Sequence, residues 1–283
     1  MNILVTGGDG QIGNEIKIYS KYSKNRYLIL NKKKLNITNF DQILKIIIKN
    51  KISIIINAAA YTDVDKSEKY KRFSNNINNV ALKNLIKISK KFKIYLIHLS
   101  TDYIFNGKKK KPYLETDQPN PINYYGLTKL KAENKIINSK CLYLIFRLSS
   151  VYSKTHNGFM LSIINQAKKN KKFFVIDDYV SSPTSAKSIA KMLVEIIDNK
   201  LIFSKKIRCN IFNYSQIGHV SKYHFAKKII KYLDLKAKCT PIKKNNFSLV
   251  KRPSYSVLNL NKFKSIIKIK INSIDYEIKN TLL

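Results

Sequence analysis

Short apolar runs alternate with longer amphipathic stretches along the first half of the chain. The apolar runs predict strands at residues 2–6, 27–30, 53–56, 94–99 and 142–146. Between them, apolar side chains recur every three or four positions, which predicts helices at about 11–22, 40–49, 75–92 and 124–138. Because strand and helix alternate without interruption, we expect a doubly wound α/β fold, in which a parallel sheet carries helices on both faces.

The pattern changes after about residue 150. Helices are still predicted, at residues 159–169, 185–197 and 221–233. The apolar runs between them are shorter, and the loops contain Pro183, Pro241 and Pro253. We expect one domain over residues 1–150 and, over residues 151–283, mainly a smaller lobe that is partly interleaved with it. The lobe would cover the carboxyl edge of the sheet, where ligands of doubly wound folds bind.

The chain is strongly basic, with 54 Lys+Arg against 17 Asp+Glu and a formal net charge of +37. Such a charge suggests a partner of the nucleic-acid or anionic-membrane type. Only five of the basic residues are arginine, the residue that nucleic-acid readers favour, and the lysines are spread from end to end. Lysine, isoleucine and asparagine, the residues of AT-rich codons, are abundant together. We therefore attribute the charge to composition and expect no nucleic-acid partner.

Other classes of protein are disfavoured by the same reading. Every apolar run falls short of the ~18 residues of a membrane span, and a strand rather than a signal sequence begins the chain. The cysteines form no C-x-x-C pair, and the four histidines show no metal-ligand spacing. We expect reduced thiols, no metal, no membrane association and a cytoplasmic location; the cysteines are Cys141, Cys209 and Cys239.

A glycine-rich turn joins the first strand to the first helix. Gly7, Gly10 and Gly13 are three residues apart, in a spacing related to the dinucleotide-binding fingerprint of Rossmann folds. Glycines there permit a tight turn and close approach of a pyrophosphate, while the helix N-terminus offers N–H groups to the phosphates. An ordinary glycine-rich turn is the alternative. The position directly after the first strand favours a cofactor site in a Rossmann-like fold.

The end of the second predicted strand bears on the choice of cofactor. An acidic residue there would bind the ribose 2′-hydroxyl of NAD. This chain has Asn31 followed by three lysines, residues 32–34, and no acid. Lysines suit the 2′-phosphate of NADP, so NADPH is favoured, with Asn31 a further contact. NADH stays open, because lysine is common throughout the chain.

Tyr125 and Lys129 are four residues apart on a predicted helix and therefore share one face. An ammonium there can lower the pKa of the phenol, which would make Tyr125 a proton donor for carbonyl reduction and place Lys129 near a nicotinamide ribose. A solvated amphipathic pair is the alternative, and Tyr223 and Lys227 repeat the spacing. Only Tyr125 follows a strand whose carboxyl end carries hydroxyls.

Those hydroxyls belong to Ser100 and Thr101, at the end of the fourth predicted strand. Either can hydrogen-bond a substrate carbonyl oxygen where negative charge develops during reduction. A hydroxyl that merely caps a loop is the alternative for each of them. The glycine-rich turn and the Tyr125–Lys129 pair together make a catalytic role the better interpretation.

Taken together, these segments resemble the extended short-chain dehydrogenase/reductases, and among them the dTDP-4-dehydrorhamnose reductase family. The resemblance extends in order over nearly the whole chain, through residues 7–13, 57–65, 100–105, 125–129, 147–152, 183–184 and 252–253 with Ser256. It implies reduction of the 4-keto group of dTDP-4-dehydro-L-rhamnose to dTDP-L-rhamnose by hydride transfer from NAD(P)H. It also carries the expectation of a homodimer.

The resemblance assigns roles to individual residues. Thr101 would assist the carbonyl, Tyr125 would donate the proton, and Lys129 would support Tyr125 and the ribose. Thr101 and Asp102 would contact the sugar. The cofactor would be contacted by Gly10, Gln11, Ile12, Ala60, Tyr61, Thr62 and Leu99, with Asn36 and Ile37 near the adenine.

Two departures from the family pattern lie on the substrate side. Ser150 stands where the family commonly has Trp against the sugar, and residues 178–184 read Asp-Tyr-Val-Ser-Ser-Pro-Thr. Two alternatives therefore stay open, a related nucleotide-sugar epimerase or dehydratase and a non-catalytic binding subunit. The dehydratases typically carry Glu where this chain has Tyr103, and an intact Tyr125–Lys129 pair argues against a non-catalytic subunit.

Overall fold

A computed structural model describes residues 1–156, 158–243 and 250–282 of the chain. The strands are β1 (Asn2–Thr6), β2 (Arg26–Leu30), β3 (Ile54–Asn57), β4 (Tyr95–Thr101), β5 (Tyr143–Leu148), β6 (Val151–Tyr152), β7 (Lys172–Ile176), β8 (Val180–Ser181), β9 (Thr184–Ser185), β10 (Asn210–Tyr214), β11 (Val220–Ser221) and β12 (Lys238–Ile242). The helices are α1 (Gln11–Tyr19), α2 (Phe40–Asn50), α3 (Val64–Lys69), α4 (Lys71–Asn75), α5 (Leu82–Phe92), α6 (Tyr124–Ile137), α7 (Phe159–Lys169), α8 (Ala186–Asp198), α9 (Lys222–Tyr232), α10 (Asn261–Ile266) and α11 (Ile274–Leu282).

Six parallel strands form the central sheet, in the order β10-β5-β4-β3-β1-β2. The strands β3, β4 and β5 are buried along their whole length, because helices cover both faces of the sheet. In register, Val5 of β1 lies between Ile29 of β2 and Ile56 of β3. The doubly wound α/β fold expected from the alternating pattern is confirmed.

The long helix predicted at 75–92 is interrupted. A π-helical turn, Asn76–Val80, separates α4 from α5. This turn buries Asn78, whose side chain bonds the backbone of Tyr61 and the hydroxyl of Thr128. Apolar spacing continued through the segment and concealed the interruption, since an amide that serves as a buried cross-link looks like a surface residue in the sequence.

The strand at the sheet edge, β10, comes from the second half of the chain and was not predicted. It pairs with β5, with Phe212 opposite Phe146. Its sequence, Asn-Ile-Phe-Asn-Tyr, is only five residues long and neither alternates strictly nor forms a continuous apolar run, which is a weak strand signal. Asn213 is nevertheless fully buried, because its amide donates to the carbonyls of Tyr113 and Asn259.

Two apolar clusters organise the second half of the chain. One is shared with the central sheet, where α8 and α10 pack on β1, β5 and β10 through Leu193 and Phe263. The other is formed by α7, α9 and α11 around Phe225 and Ile278, beside the two-stranded pair β12–β7. The division at residue 150 stays a prediction. Over the described ranges, no helix has the length and apolar character that a bilayer span requires.

Candidate active site

A cavity of about 580 Å³ lies at the carboxyl ends of β1, β3 and β4, between the N-termini of α1 and α6. The parallel sheet creates this position, because neighbouring strands end at the same edge and their loops diverge above it. Most of the predicted site residues line the cavity: Gly10, Gln11, Ile12, Ala60, Thr62, Leu99, Thr101, Asp102, Tyr125, Lys129 and Ser150. His156 and Gly158, from the loop before α7, close the cavity from the other half of the chain and were not predicted.

The glycine-rich turn holds the backbone of β1 and α1 close together. Gly7 adopts a φ of +71°, and a side chain on it would lie 2.7 Å from the carbonyl oxygen of Ala58. A side chain on Gly13 would lie 2.4 Å from the carbonyl oxygen of Gly7. These two glycines therefore shape the turn from beneath and do not line the cavity, whereas Gly10 does.

The residues at the start of α1 fit a dinucleotide phosphate. Gly10 is the N-cap of the helix and has no side chain to bond the first N–H groups. The buried Oε1 of Gln11 has no hydrogen-bond partner within the described part of the chain. A helix N-terminus with uncapped N–H groups attracts an anion, and a ligand hydroxyl would satisfy the buried oxygen.

The residues predicted near the adenine lie around the end of β2 and outside the cavity lining. The carbonyl oxygen of Asn31 accepts from the N–H of Leu35, and its side chain accepts from the N–H of Lys34. Asn36 accepts from the hydroxyl of Thr38, while Ile37 is buried. These bonds form a compact loop next to the glycine-rich turn, where Gly8 donates to the carbonyl oxygen of Leu30.

Tyr61 lies outside the cavity lining and is held by Asn78 and Phe73. Its N–H donates to the side chain of Asn78 over 2.7 Å, and its ring meets Phe73 edge-on. The ammonium of Lys32 lies 5.5 Å from the centre of the Phe73 ring. One of the three lysines after β2 thus lies against a residue that packs on Tyr61.

The phenol of Tyr125 shares the cavity with the hydroxyl of Thr101. Burial raises the pKa of Tyr125 to about 12, the hydroxyl of Thr101 opposes this as a hydrogen-bond partner, and the charge of Asp102 adds to it. The phenol is therefore protonated over the whole neutral range. A protonated phenol beside a second hydroxyl can donate a proton to an oxygen on which negative charge develops.

The ammonium of Lys129 is held by residues at the end of β4. Its Nζ donates to the carbonyl oxygen of Leu99 over 2.6 Å and lies 3.3 Å from Nε2 of His98. Burial lowers the pKa of Lys129 to about 8, and the carboxylate of Glu133 opposes the shift. The expected lowering of the phenol pKa by Lys129 is therefore not seen in the described geometry.

A line of buried polar side chains continues from Lys129 beneath the sheet edge. The ring nitrogen Nδ1 of His98 lies 3.1 Å from the amide nitrogen of Asn57, whose oxygen accepts from the hydroxyl of Thr6 over 2.7 Å. Burial and the charge of Lys129 lower the pKa of His98 well below its usual value, which keeps the imidazole neutral. This line of hydrogen-bonded side chains links the ends of β1, β3 and β4 to α6.

Asp102 is buried and accepts three hydroxyl donors. Ser256 donates over 2.6 Å, Ser149 over 2.8 Å and Thr101 over 3.2 Å. Burial raises the pKa of Asp102 to about 6, and these hydrogen bonds oppose the increase. Ser150, at the cavity rim, has a φ of +42° and shares a 2.8 Å hydrogen bond with Ser181.

A buried ion pair supports the site from below and was not predicted. Arg147 donates to Glu133 through Nη2 over 2.8 Å, and Glu133 also accepts from Ser100. The hydroxyl of Ser100 is therefore bonded to this ion pair. Thr101 is the strand-end hydroxyl that remains beside the phenol. Glu133 is four residues after Lys129 on α6, so helical spacing alone could have indicated it.

The second Tyr–Lys pair lies elsewhere. Tyr223 and Lys227 are on α9, outside the cavity lining, and the ammonium of Lys227 lies 5.6 Å from the tyrosine ring centre. The position of the pair, rather than its spacing, separates a site residue from a surface contact.

Comparison with known proteins places the whole chain in one family. The model of the RmlD substrate binding domain matches residues 1–283. The dTDP-4-dehydrorhamnose reductase of Aggregatibacter actinomycetemcomitans is 30% identical over 98% of this chain and 97% of its own length. A crystal structure of a dTDP-4-dehydrorhamnose reductase from Clostridium acetobutylicum is 31% identical, with a TM-score of 0.92 over 100% of this chain and 98% of that one. A Bacillus anthracis dTDP-4-dehydrorhamnose reductase, solved in complex with NADP, is 29% identical, with a TM-score of 0.91 over 99% and 98% of the two chains.

Proposed function

Since the chain belongs to the RmlD substrate-binding-domain family, whose named relatives are dTDP-4-dehydrorhamnose reductases, we propose that it reduces dTDP-4-dehydro-L-rhamnose to dTDP-L-rhamnose. This is the closing step of dTDP-rhamnose biosynthesis and an NAD(P)H-dependent oxidation–reduction at a CH–OH group. The observation that carries the proposal is one cavity in which the glycine-rich turn, Thr101 and Tyr125 meet.

NADPH is the cofactor that the site fits best. Gly10, Gln11 and Ile12 would hold its diphosphate at the start of α1, with Thr62 and Leu99 farther along the cavity. When bound, the cofactor supplies the hydride from C4 of its nicotinamide ring. The related Bacillus anthracis structure holds NADP, and three lysines without an acid follow β2 here. NADH is the weaker candidate.

Tyr125 donates the proton in the proposed reaction. Its phenol stays protonated at neutral pH, so it can pass the proton to the 4-oxygen as that oxygen gains charge. The hydroxyl of Thr101, which donates to Asp102 in the structure, would turn to donate a second hydrogen bond to the same oxygen and thereby stabilise the negative charge, while Ser149 and Ser256 continue to hold Asp102. Lys129 holds the carbonyl of Leu99, which lines the cavity, and would support the cofactor ribose.

The sugar ring lies against Asp102 and Ser150 in this proposal. Asp102 is held by three hydroxyls and keeps a fixed orientation, which suits a carboxylate that accepts from sugar hydroxyls. Ser150 offers a small polar side chain and leaves room above the sugar. The homodimer and the cytoplasmic location stay predictions, and analytical ultracentrifugation would measure the former.

Purified protein should oxidise NADPH when it is supplied with dTDP-4-dehydro-L-rhamnose. Tyr125→Phe should lower turnover by at least about a hundredfold, since it removes the proton donor, while NADPH affinity changes little. Loss of absorbance at 340 nm measures the first, and fluorescence titration with NADPH the second.

Tyr223→Phe is the matched control, because that tyrosine has the same spacing to a lysine but lies outside the cavity. It should retain the turnover of the unmodified protein. Wild-type protein that binds NADPH yet shows no turnover at saturating substrate would overturn the proposed function.

A further inference from the structure

We propose that His98 is a positioning residue for Lys129, which it holds at the active site through a hydrogen bond between Nε2 of the imidazole and Nζ of the lysine. This role rests on the proposed reduction, in which Lys129 supports the cofactor ribose, and deepens it. His98 lies outside the cavity lining, so it would act through the lysine and contact neither cofactor nor substrate. No pattern in the sequence indicated it.

Two neighbouring residues of β4 hold the ammonium. Nζ of Lys129 donates to the carbonyl oxygen of Leu99 over 2.6 Å and lies 3.3 Å from Nε2 of His98. The lysine is 2% exposed, and its ammonium has three N–H groups. With two of them directed to β4, the third is left for the cavity, which Lys129 lines. The acceptor on His98 therefore helps to decide where that third N–H points.

The imidazole of His98 is held on its other side as well. Nδ1 lies 3.1 Å from the amide nitrogen of Asn57, and the amide oxygen accepts from the hydroxyl of Thr6 over 2.7 Å. The oxygen of that hydroxyl accepts in turn from the N–H of Ala59 over 3.3 Å. His98, Asn57 and Thr6 are each 1% exposed, so bulk solvent does not compete for these bonds. The ring is thereby fixed between the lysine and the amide.

A neutral imidazole suits this role. Burial and the charge of Lys129 lower the pKa of His98 well below its usual value, so the ring stays neutral and Nε2 can accept from the ammonium. A hydrogen bond from an ionised donor is about twice as strong as one between neutral groups. The bond to His98 therefore favours the charged lysine, against the burial that lowers the pKa of Lys129 to about 8.

The other charged and titratable groups near Lys129 do not titrate at this pH. Glu133, on the same helix, favours the charged lysine and is paired with Arg147 of β5. Tyr125, also on α6, has a pKa of about 12, and Asp102, which follows β4, has a pKa of about 6. A titration near pH 8 within this cluster therefore belongs to Lys129.

The pKa of Lys129 in the full chain, without substrate or cofactor, tests the positioning role directly. It is measured by pH titration of the ¹³C NMR signals of the lysine Cε atoms, and the signal of Lys129 is the one that Lys129→Arg removes. His98→Leu should lower this pKa by about one unit, because the ammonium loses an acceptor.

Lys222 provides a control within the same spectra. Burial lowers its pKa to about 8 as well, but it lies on α9, outside the cavity lining. Its signal, identified by its loss in Lys222→Arg, should titrate in His98→Leu as it does in wild-type protein.

Two amide variants separate the hydrogen bond from the volume of the side chain. The amide of a glutamine reaches the position of Nε2, whereas the amide of an asparagine reaches only the position of Nδ1. His98→Gln should therefore keep the pKa of Lys129 close to the wild-type value, and His98→Asn should lower it by about one unit. A side chain that merely fills the core would give no such difference, and the comparison stands even if His98→Leu does not fold.

Turnover should follow the same order. In kcat–pH profiles at saturating NADPH and substrate, the decline at high pH should begin about one unit lower in His98→Asn than in wild-type protein, and His98→Gln should keep the wild-type profile. His224→Gln is the control for loss of an imidazole, because that side chain is 59% exposed and lies outside the cavity lining. It should keep the wild-type profile too.

An unchanged Lys129 pKa in His98→Asn, or equal shifts in His98→Asn and His98→Gln, would overturn the positioning role. A shifted Lys129 pKa in His98→Asn, together with wild-type protein that binds NADPH but shows no turnover, would overturn the proposed reduction and leave the positioning of Lys129 standing. The two failures are therefore distinguishable.

Discussion

Lys129 is the residue whose surroundings most constrain the chemistry of the site. A charged Nζ can only donate, so Nε2 of His98 must accept from it and Nδ1 must carry the ring proton. That proton then requires an oxygen on Asn57, which is reached by turning the amide over, with its nitrogen toward Thr6. A neutral Lys129 can accept from Nε2 of His98. In that case Nδ1 accepts from the amide nitrogen of Asn57, which is the orientation of the amide in the structure. This buried line of hydrogen-bonded side chains therefore has one arrangement for each protonation state of Lys129.

The activity of the protein should decline as pH rises above about 8. The pKa of Lys129 is lowered to about 8, so the ammonium loses its proton there, whereas Tyr125, with a pKa of about 12, stays protonated. The kcat–pH profile at saturating NADPH and substrate measures this. Lys129→Met should retain a small activity without the decline, and a wild-type profile flat to pH 9.5 would contradict the assignment.

Asp102 makes a second pH-dependent contribution, this time to stability. Its pKa rises from 3.8 to about 6 on folding, so the folded protein binds more protons than the unfolded chain between these values. Stability therefore falls as pH rises through this window, by up to about 3 kcal/mol for a shift of this size. The protein retains a carboxylate at this position in the cavity although its ionisation lowers the stability of the fold, which is typical of a functional residue.

Asp102→Asn should be more stable than wild-type protein at pH 7.5, with the difference vanishing near pH 4. Urea unfolding at the two pH values measures it. Asp275→Asn is the control with the opposite sign, because a hydrogen bond from Lys228 lowers the pKa of that carboxyl. Asp102→Asn that is less stable at pH 7.5 than at pH 4, relative to wild-type protein, would contradict the burial argument.

At the scale of elements, the contact between β1 and α1 depends on missing side chains. The turn places the backbone of Gly7 and Gly13 so close that a Cβ on either would meet a carbonyl oxygen at under 3.0 Å. Backbone cannot move aside as a flexible side chain can, so the start of α1 would have to shift. The N–H groups of the helix that are proposed to bind the phosphates would shift with it.

Gly13→Ala should destabilise the protein by about 2 kcal/mol through overpacking and weaken NADPH binding at least tenfold. Denaturant unfolding and NADPH titration measure the two effects. Gly158→Ala is the matched control, because its Cβ would meet its nearest neighbour, the side chain of Gln11, only at 3.6 Å. A Gly13→Ala protein with unchanged NADPH affinity would show that the turn does not hold the phosphates.

The helix α6 is tied to the sheet by the Glu133–Arg147 pair as well as by apolar contacts. The side chains are 1% and 4% exposed, and Arg147 also donates to the carbonyl of Glu115. Removing one partner of a buried pair leaves an uncompensated charge, which makes such pairs specific to one arrangement. The pair thus fixes the position of Lys129, one helical turn earlier on α6.

At the scale of the whole molecule, the net charge of +37 affects the rate at which ligands associate rather than the rate of the chemical step. Both proposed ligands carry several negative charges, so a basic surface increases their rate of association, and dissolved salt screens the attraction. Raising NaCl from 20 to 300 mM should lower kcat/KM for NADPH several-fold and change kcat little. Steady-state kinetics measure this, with sucrose as the uncharged control. An unchanged kcat/KM would mean that the lysines do not steer the ligands.

Most of the fold could be predicted because the strands of a buried parallel sheet are uninterrupted apolar runs. The strands from β1 to β5 and the three later helices were found in this way. The strand β10 and the π-helical turn were not, because Asn213 and Asn78 look like surface residues in the sequence. Each is buried by hydrogen bonds to segments far away in the chain.

Much of the candidate site could be predicted too, where a motif has a fixed position relative to a strand. The glycine-rich turn, Thr101, Tyr125 and Lys129 all begin or end at elements that the pattern predicts, and the cavity gathers the last two with Gly10. His98 and Ser256 could not be assigned roles, since nothing local to them tells whether a polar side chain faces the cavity, the core or solvent.

The sequence by itself determined the fold class and located the glycine-rich turn and the candidate reacting groups, because each depends on short-range spacing along one strand or helix. Only the tertiary structure decided which groups hold the ammonium of Lys129, which hydroxyls hold Asp102, and that Arg252 pairs with Asp65. Those facts depend on contacts between segments up to about 190 residues apart, such as Arg252 with Asp65. Hydrogen bonds and charge pairs are set by distance in space, and no spacing along the chain encodes that distance.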